Sequence, residues 1–185
     1  MTARLVRTVA PAQDLVTLDE AKDHARVDHD ADNAQIAAMV AAAIARLDGP
    51  FGLLSRALVT QTWTLTLDEW PAEIEVPLPP LQSVDSITYT AMDGATATLD
   101  PADYSVGGVG DDEPAIIWPV EAWPKLGANR EAVSVTFTAG YGAPGAVPEP
   151  IRQAALAIVA ALFDGRGVAE AGVEHLIAPY RRWVF

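Results

Sequence analysis

The first helical periodicity in the chain begins after residue 16. Thr17 and Glu20 stand three residues apart, the spacing of a capping box in which a hydroxyl and a carboxylate each accept a backbone N–H. Apolar and polar residues then follow one another at helical intervals. The pattern predicts a short helix from about Leu18 to Val27.

A longer helix is predicted directly after the first. Apolar side chains recur three and four positions apart there, which aligns them in one stripe along a helix. The stripe consists of Ile36, Val40, Ala43, Ile44 and Leu47. Gly49 and Pro50 follow it, as glycine and proline often do at a helix C-terminus. Residues 17–49 are therefore expected to supply two N-terminal helices.

In the middle of the chain, apolar and polar residues alternate with a period of two. Two sets of residues alternate, namely Val59, Trp63, Leu65 and Leu67 on one side and Thr60, Thr62, Thr64 and Thr66 on the other. Such alternation is typical of a strand with one buried face. Asp93-Gly94 is a favoured pair for a hairpin turn, and short strands are expected in IEV, DYSVGG, AIIWP and AVSVTFTAG. We predict an antiparallel β section over residues 58–140.

Glycine and proline residues separate this β section from a third helix. Six of them stand within residues 138–154, after which helical spacing resumes. Proline suits the first turn of a helix because no intrahelical donor is needed there. The pattern predicts a core helix over residues 148–164 and a tail over residues 168–185. The expected fold class is α+β, with N- and C-terminal helices forming one core, an antiparallel β section inserted between them, and a single domain over residues 1–185.

Composition narrows the possible function classes. The 185 residues include no cysteine, which excludes disulfides, thiolate metal sites and cysteine nucleophiles and fits a reducing compartment. The net charge is −13, so the surface repels nucleic acid in general. The longest apolar stretch, Ala154 to Phe163, is too short to span a bilayer. We identify no signal or transit peptide and expect a soluble acidic protein.

The segment DHDAD is the most metal-like part of the sequence. Asp28, Asp30 and Asp32 occupy the first three ligand positions of an EF-hand loop. Asn33 stands where that loop needs glycine, and Met39 stands where it needs a bidentate acid. The match therefore fails. We expect these acids to cap the second helix and to complement its positive N-terminal end.

No arrangement of residues predicts catalysis. His24 and His29 are five positions apart and so do not share a helix face as a metal pair would, and the third histidine is His175. The glycine-rich segment 107–114 has no lysine and three acids, so it does not bind phosphate as a P-loop does. We predict no catalytic residue, no metal ligand, no cofactor and no enzyme activity.

The last residues differ from the rest of this acidic chain. The sequence ends in PYRRWVF, which combines aromatic side chains with paired arginines, a composition enriched at protein contact hot spots. We predict a partner-binding tail that consists of Tyr180, Arg181, Arg182, Trp183 and Phe185. The alternative is that the tail folds back onto its own core, and the sequence leaves both open.

The order of these segments resembles the phage head–tail connector family, the adaptor or head-completion proteins of long-tailed phages and of phage-derived gene transfer agents. The similar segments run in family order from about Thr17 to Trp183. They are VTLDEAKDHARVDHDADNAQIAAMVAAAIARLDG, SRALVTQTWTLTLDEWP, IEVPLPPLQSVDSITYTAMDG, VSVTFTAGYG, VPEPIRQAALAIVAALFDGR and HLIAPYRRW. One departure is FDGRGVAEAGVEH, where the family often has Tyr or Trp with charged residues.

The resemblance implies a structural virion protein that forms an adaptor ring between portal and tail, in the neck of a particle assembled in the bacterial cytoplasm. It implies a homo-oligomer, commonly of twelve subunits, with the portal protein and a stopper or tail-terminator protein as partners. DNA would pass through the ring without specific binding, and no membrane takes part. The C-terminal tail is then the candidate for portal binding, and acids that line the channel would repel DNA.

Three alternative functions remain at this stage. The first is another neck or tail-completion protein. The second is a metal-dependent enzyme that uses Asp28, Asp30 and Asp32. The third is a carbohydrate-binding module built on the β section, with exposed tryptophans as its binding surface.

Overall fold

The helices and strands belong to two units, one rich in strands and one helical. The computed structural model describes residues 3–165 and 170–182. The β unit comprises residues 1–12 and 60–140, and the α unit comprises residues 13–59 and 141–185. The predicted α+β fold class is confirmed, because helices and antiparallel sheets are both present.

The α unit contains four helices within the described residues. They are α1 (Leu18–Ala25), α2 (Asn33–Leu47), α3 (Glu149–Phe163) and α4 (Glu170–Ile177). Their buried apolar side chains form one cluster, in which α3 packs against α1, α2 and α4. The predicted core of N- and C-terminal helices is therefore confirmed, and α3 lies within the predicted range 148–164.

The capping box at the start of α1 forms as predicted. The Thr17 hydroxyl accepts a hydrogen bond from the Glu20 backbone N–H at 3.2 Å, and a Glu20 carboxylate oxygen accepts one from the Thr17 N–H at 2.7 Å. The helix ends two residues earlier than predicted, at Ala25. Arg26 adopts a left-handed conformation with φ 58°, and the Val27 N–H donates to the Lys22 carbonyl at 2.9 Å. This closes the last turn as a C-terminal cap does.

The predicted tail contains a helix that the sequence analysis missed. Residues 170–177 form α4, and Ala178–Tyr180 form a short 3₁₀ turn. Val173 and Ile177 belong to the buried cluster of the α unit. The described part of the tail is thus folded back onto the core. Val173, Leu176 and Ile177 have helical spacing, but a short segment that follows Gly172 directly gave too weak a periodic signal.

The β unit contains two antiparallel sheets. The first has the strand order β1-β2-β8-β4-β5, and the second has the order β3-β7-β6. The strands are β1 (Ala3–Val9), β2 (Gln61–Leu67), β3 (Ile74–Val76), β4 (Leu81–Thr90), β5 (Thr96–Thr98), β6 (Tyr104–Gly107), β7 (Ala115–Pro119) and β8 (Val133–Ala139). The predicted hairpin at Asp93-Gly94 joins β4 to β5, and Gly94 has the positive φ, 83°, that such a turn requires.

The alternation predicted for β2 is confirmed by its register with β8. Trp63 pairs with Phe137 and Leu65 with Val135, and all four side chains are buried. Their neighbours on the opposite face are threonines that pair across the same strands, with hydroxyl oxygens 3.3 and 3.4 Å apart. One face of these strands therefore supplies the core of the β unit, and the other is polar.

Strand β1 corrects the predicted extent of the β section. The expectation was that residues 58–140 form the whole section, whereas residues 3–9 add an edge strand beside β2. Most of its side chains are exposed, and Arg4 and Arg7 interrupt its apolar positions. An exposed edge strand needs no alternating pattern, because neither of its faces must be apolar. The sequence therefore gave no signal for it.

Removing a buried ring from β8 is expected to destabilise the chain far more than a change on the opposite face. Phe137 is fully buried, so Phe137→Ala should lower the free energy of unfolding by about 3–5 kcal/mol. The adjacent Thr136→Ala is the matched control and should cost less than about 1 kcal/mol, since it removes one long hydroxyl contact. Urea unfolding measures both, and equal losses would contradict this assignment of faces.

Candidate functional site

A single arginine on the apolar helix α3 connects it to the N-terminal part of the α unit. One terminal nitrogen of Arg152 donates to a Glu20 carboxylate oxygen at 2.5 Å. The other donates to the backbone carbonyls of Leu15 at 3.0 Å and Pro144 at 3.3 Å, and Nε lies 3.4 Å from Glu149. The planar guanidinium thus joins three segments in a way that a lysine ammonium cannot.

The carboxylate of Glu20 is held in its charged form. The backbone N–H of Thr17 is the main cause of a lowered pKa. Burial is the next largest effect and raises the pKa, while the Thr17 hydroxyl and Arg152 lower it further. The capping box and the arginine contact therefore support each other through one side chain.

An open cavity of about 530 Å³ lies beside this contact. Its lining combines five apolar or small residues with five polar or charged ones, namely Leu15, Leu18, Ala143, Pro144 and Gly145 with Gln13, Asp14, Thr17, Glu20 and Arg152. The cavity thus has a wall of mixed polarity with one planar cation, and we call it the Arg152 pocket. Neither Arg152 nor the pocket was identified from the sequence. The available signal was a single arginine in the largely apolar third helix, three residues after Glu149.

The loop after α2 carries a fully exposed phenylalanine. Residues 48–58 form this segment, which we call the Phe51 loop, and the Phe51 side chain is 100% exposed. The Gly49 N–H donates to the Arg56 carbonyl at 2.8 Å, and the Leu53 N–H donates to the Arg46 carbonyl at 2.8 Å. A side chain at Gly52 would lie 2.5 Å from the backbone of Leu47. The exposed ring therefore stands on a tightly closed turn.

The predicted partner-binding residues are only partly described. Tyr180 is half-buried and packs against the core cluster of the α unit. The Arg182 N–H donates to the Leu54 carbonyl at 3.3 Å, and Arg181 follows the 3₁₀ turn. Trp183 and Phe185 lie outside the described residues. The described residues of this set thus contact the α unit of their own chain.

The acidic segment at residues 28–32 does not cap α2 as expected. Asp32 occupies the N-cap position, but its side chain makes no capping hydrogen bond. Asp30 instead accepts from Lys22 at 2.6 Å and from the Asn33 side chain at 3.1 Å, and the Lys22 hydrogen bond is the main cause of its lowered pKa. Within residues 3–165 and 170–182, no group of three His, Cys, Asp or Glu side chains could hold a metal ion.

Three of the four tryptophans of the β unit are engaged within their own chain, and Trp118, at 39%, is exposed. Trp70 and Trp123 stack on each other with ring centroids 4.5 Å apart and planes 6° apart. Each indole N–H donates to a backbone carbonyl, at 2.9 Å to Pro124 and at 2.7 Å to Pro71. Trp63 is buried in the sheet. The geometry therefore does not favour the carbohydrate-binding alternative.

Membrane insertion of a helix finds no support in the part of the chain that the structure describes. No helix there combines the length and the apolar character needed to cross a bilayer.

Comparisons with known proteins identify the fold. No family model and no curated protein matches the sequence. A chain from the neck of an empty gene transfer agent (GTA) particle, computed with C6 symmetry, is similar with a TM-score of 0.81 and 24% identity, over 98% of this chain and 97% of that one. The two chains share one fold.

Two further structures show the same likeness. A chain from the virion of a native GTA particle has a TM-score of 0.80 and 23% identity, covering 98% of this chain and 96% of that one. A chain from the neck of a native GTA particle, computed with C12 symmetry, has a TM-score of 0.77 and 23% identity over 98% and 97%. The resemblance drawn from sequence motifs is therefore confirmed at the level of the whole fold.

Acidification is expected to remove the contribution of Glu20 to stability. The pKa of Glu20 lies below its ordinary value of 4.5, so this contribution is fully present above that value and is lost as the pH falls through the lowered one. Wild type should therefore exceed Glu20→Gln in free energy of unfolding at neutral pH, and the difference should shrink below about pH 4.5. Urea unfolding across pH measures it; a difference independent of pH would contradict the assignment.

Proposed function

We propose that this protein is a structural subunit of the neck of a phage-like particle of the gene transfer agent type. The observation that carries the proposal is the fold likeness, at a TM-score of 0.81, over 98% of this chain and 97% of a chain from such a neck. The protein acts through assembly and has no catalytic role. The virion origin of the similar chains supports this.

The finer proposal is an adaptor ring between the portal and the tail. Similar chains come from necks computed with C6 and C12 symmetry, which supports a ring, and we propose twelve copies. The partners are the portal protein on one side and a stopper or tail-terminator protein on the other. Assembly takes place in the bacterial cytoplasm.

DNA passes through the proposed ring without specific binding. The net charge of −13 per chain supports this, because acidic side chains on a channel wall repel phosphate and prevent adhesion. Screening limits the effect to about 8 Å at physiological salt, so only side chains on the wall contribute. The acidic surface therefore favours sliding of DNA over retention.

Particles purified from the cell that encodes this chain are expected to contain it in the neck. Mass spectrometry of the particles should detect the chain, and cryo-electron microscopy should show its fold as a ring directly beneath the portal. Deleting the gene should give heads without tails, and restoring the gene should correct this. Absence of the chain from purified particles would contradict the neck proposal. Cryo-electron microscopy density for the chain farther down the tail would assign the protein to a tail-completion role instead.

The C-terminal aromatic residues are expected to attach the ring to the portal. Tyr180 packs on its own core, so the test should leave it in place and replace Trp183 and Phe185 by serine. The doubly substituted chain should keep its unfolding midpoint but lose copurification with the portal, because aromatic anchors dominate protein contacts. Val184→Ser is the matched control in the same segment. Undiminished copurification of the double variant would show that attachment lies elsewhere.

A further inference from the structure

Phe51 is the most exposed of the large apolar side chains in the described part of the chain. It is 100% exposed, compared with 72% for Met92 at the tip of the β4–β5 hairpin. Aromatic side chains are the residues most often found as anchors in protein contacts. Single exposed apolar side chains are common on protein surfaces, but a fully exposed ring adds little to folding and is available for a contact with another molecule.

The Phe51 loop fixes the backbone from which the ring projects before any contact forms. Backbone hydrogen bonds from Gly49 to Arg56 and from Leu53 to Arg46 close the turn, each at 2.8 Å. The Leu58 N–H donates to the Asp48 carboxylate at 2.8 Å and secures the end of the loop. The backbone of an ordered turn loses little conformational freedom on binding, so only the side chain has to be ordered. The loop is thus built as an anchor.

The Arg152 pocket has the properties of a receptor for such a ring. Its volume of about 530 Å³ lies within the range of roughly 300–1,000 Å³ that is usual for small-ligand sites, which a phenyl ring enters easily. Leu15, Leu18 and Pro144 make one part of its wall apolar, and polar side chains, Asp14 and Glu20 among them, form the rest. Arg152 also lines it, and a guanidinium whose edges are occupied by hydrogen bonds can still stack on an aromatic face.

We propose that Phe51 of one copy inserts into the Arg152 pocket of the next copy in the ring. The proposal rests on the proposed function, because the symmetric assembly supplies the second copy. Each chain carries one anchor and one pocket on different segments, and full exposure of Phe51 excludes insertion into its own pocket. A head-to-tail contact between two different surfaces closes into a ring when its rotation completes a full turn after a whole number of copies, and otherwise gives an open filament.

The main test replaces Phe51 by serine in cells that make the particle. Phe51→Ser should leave the unfolding midpoint unchanged, because the ring has no intrachain contact, but should reduce the amount of chain in purified necks on the order of tenfold or more. Met92→Ser is the matched control, since it also removes an exposed apolar side chain from a turn. It should leave incorporation at the wild-type level. Equal incorporation of both variants would overturn the proposal.

A photo-crosslink identifies what Phe51 contacts. Phe51→p-benzoylphenylalanine, irradiated in assembled particles, should crosslink two copies of this chain through peptides that contain residues 13–20 or 143–152. The same substitution at Met92 is the control. The inference would be overturned by a crosslink to a different protein or to another surface of this chain. It would also be overturned if the Phe51 variant crosslinked no more than the Met92 variant. If the wild-type chain is missing from the neck, the proposed function fails; if it is present and only these results fail, the neck role stands.

Discussion

The packing of α3 against α1 and α2 is the interaction on which the α unit depends. Ile36 on α2 and Ile151 and Ile158 on α3 are almost completely buried in the shared cluster. Burial of such a side chain contributes about 1.5–3 kcal/mol, which is more than the roughly 0.5–1.5 kcal/mol of a typical single hydrogen bond. Because these residues are more than a hundred positions apart, the core exists only when both ends of the chain meet.

Arg152 gives this apolar packing a defined register. A helix held only by aliphatic contacts can shift along its neighbours at little cost, whereas hydrogen bonds to Glu20 and to the Leu15 and Pro144 carbonyls exist in one alignment. Loss of the guanidinium would leave those acceptors without their donor, which costs more than the bonds contribute on average. The same side chain also forms part of the pocket wall. Arg152 therefore stabilises the α unit and also takes part in the proposed contact between copies.

Assembly of an acidic chain favours apolar anchors over ion pairs. Copies that each carry a net charge of −13 repel one another, although screening confines this repulsion to about 8 Å at physiological salt. A contact between them must therefore gain its free energy from desolvated apolar surface at short range. An ordered loop with an exposed ring meets this requirement without rearrangement of the subunit.

Local sequence determined the elements whose pattern is repeated within a few residues. Three such elements were predicted correctly from residues a few positions apart. They are the capping box of Thr17 and Glu20, the apolar stripe on α2 and the alternation around Trp63. Strand β1 was missed because it contributes its backbone to an edge and buries little. Helix α4 was missed because it has few apolar residues, and their helical spacing is recognised only once they are seen to pack on α3.

Only the tertiary structure decided which residues can serve assembly. The sequence shows Phe51 as one aromatic residue between Pro50 and Gly52, and nothing local distinguishes an exposed ring from a buried one. It shows Arg152 as the single cation of a largely apolar helix, without its partners at Leu15 and Glu20. Exposure and hydrogen bonding depend on segments far apart in the chain, so they are fixed when those segments pack and not before.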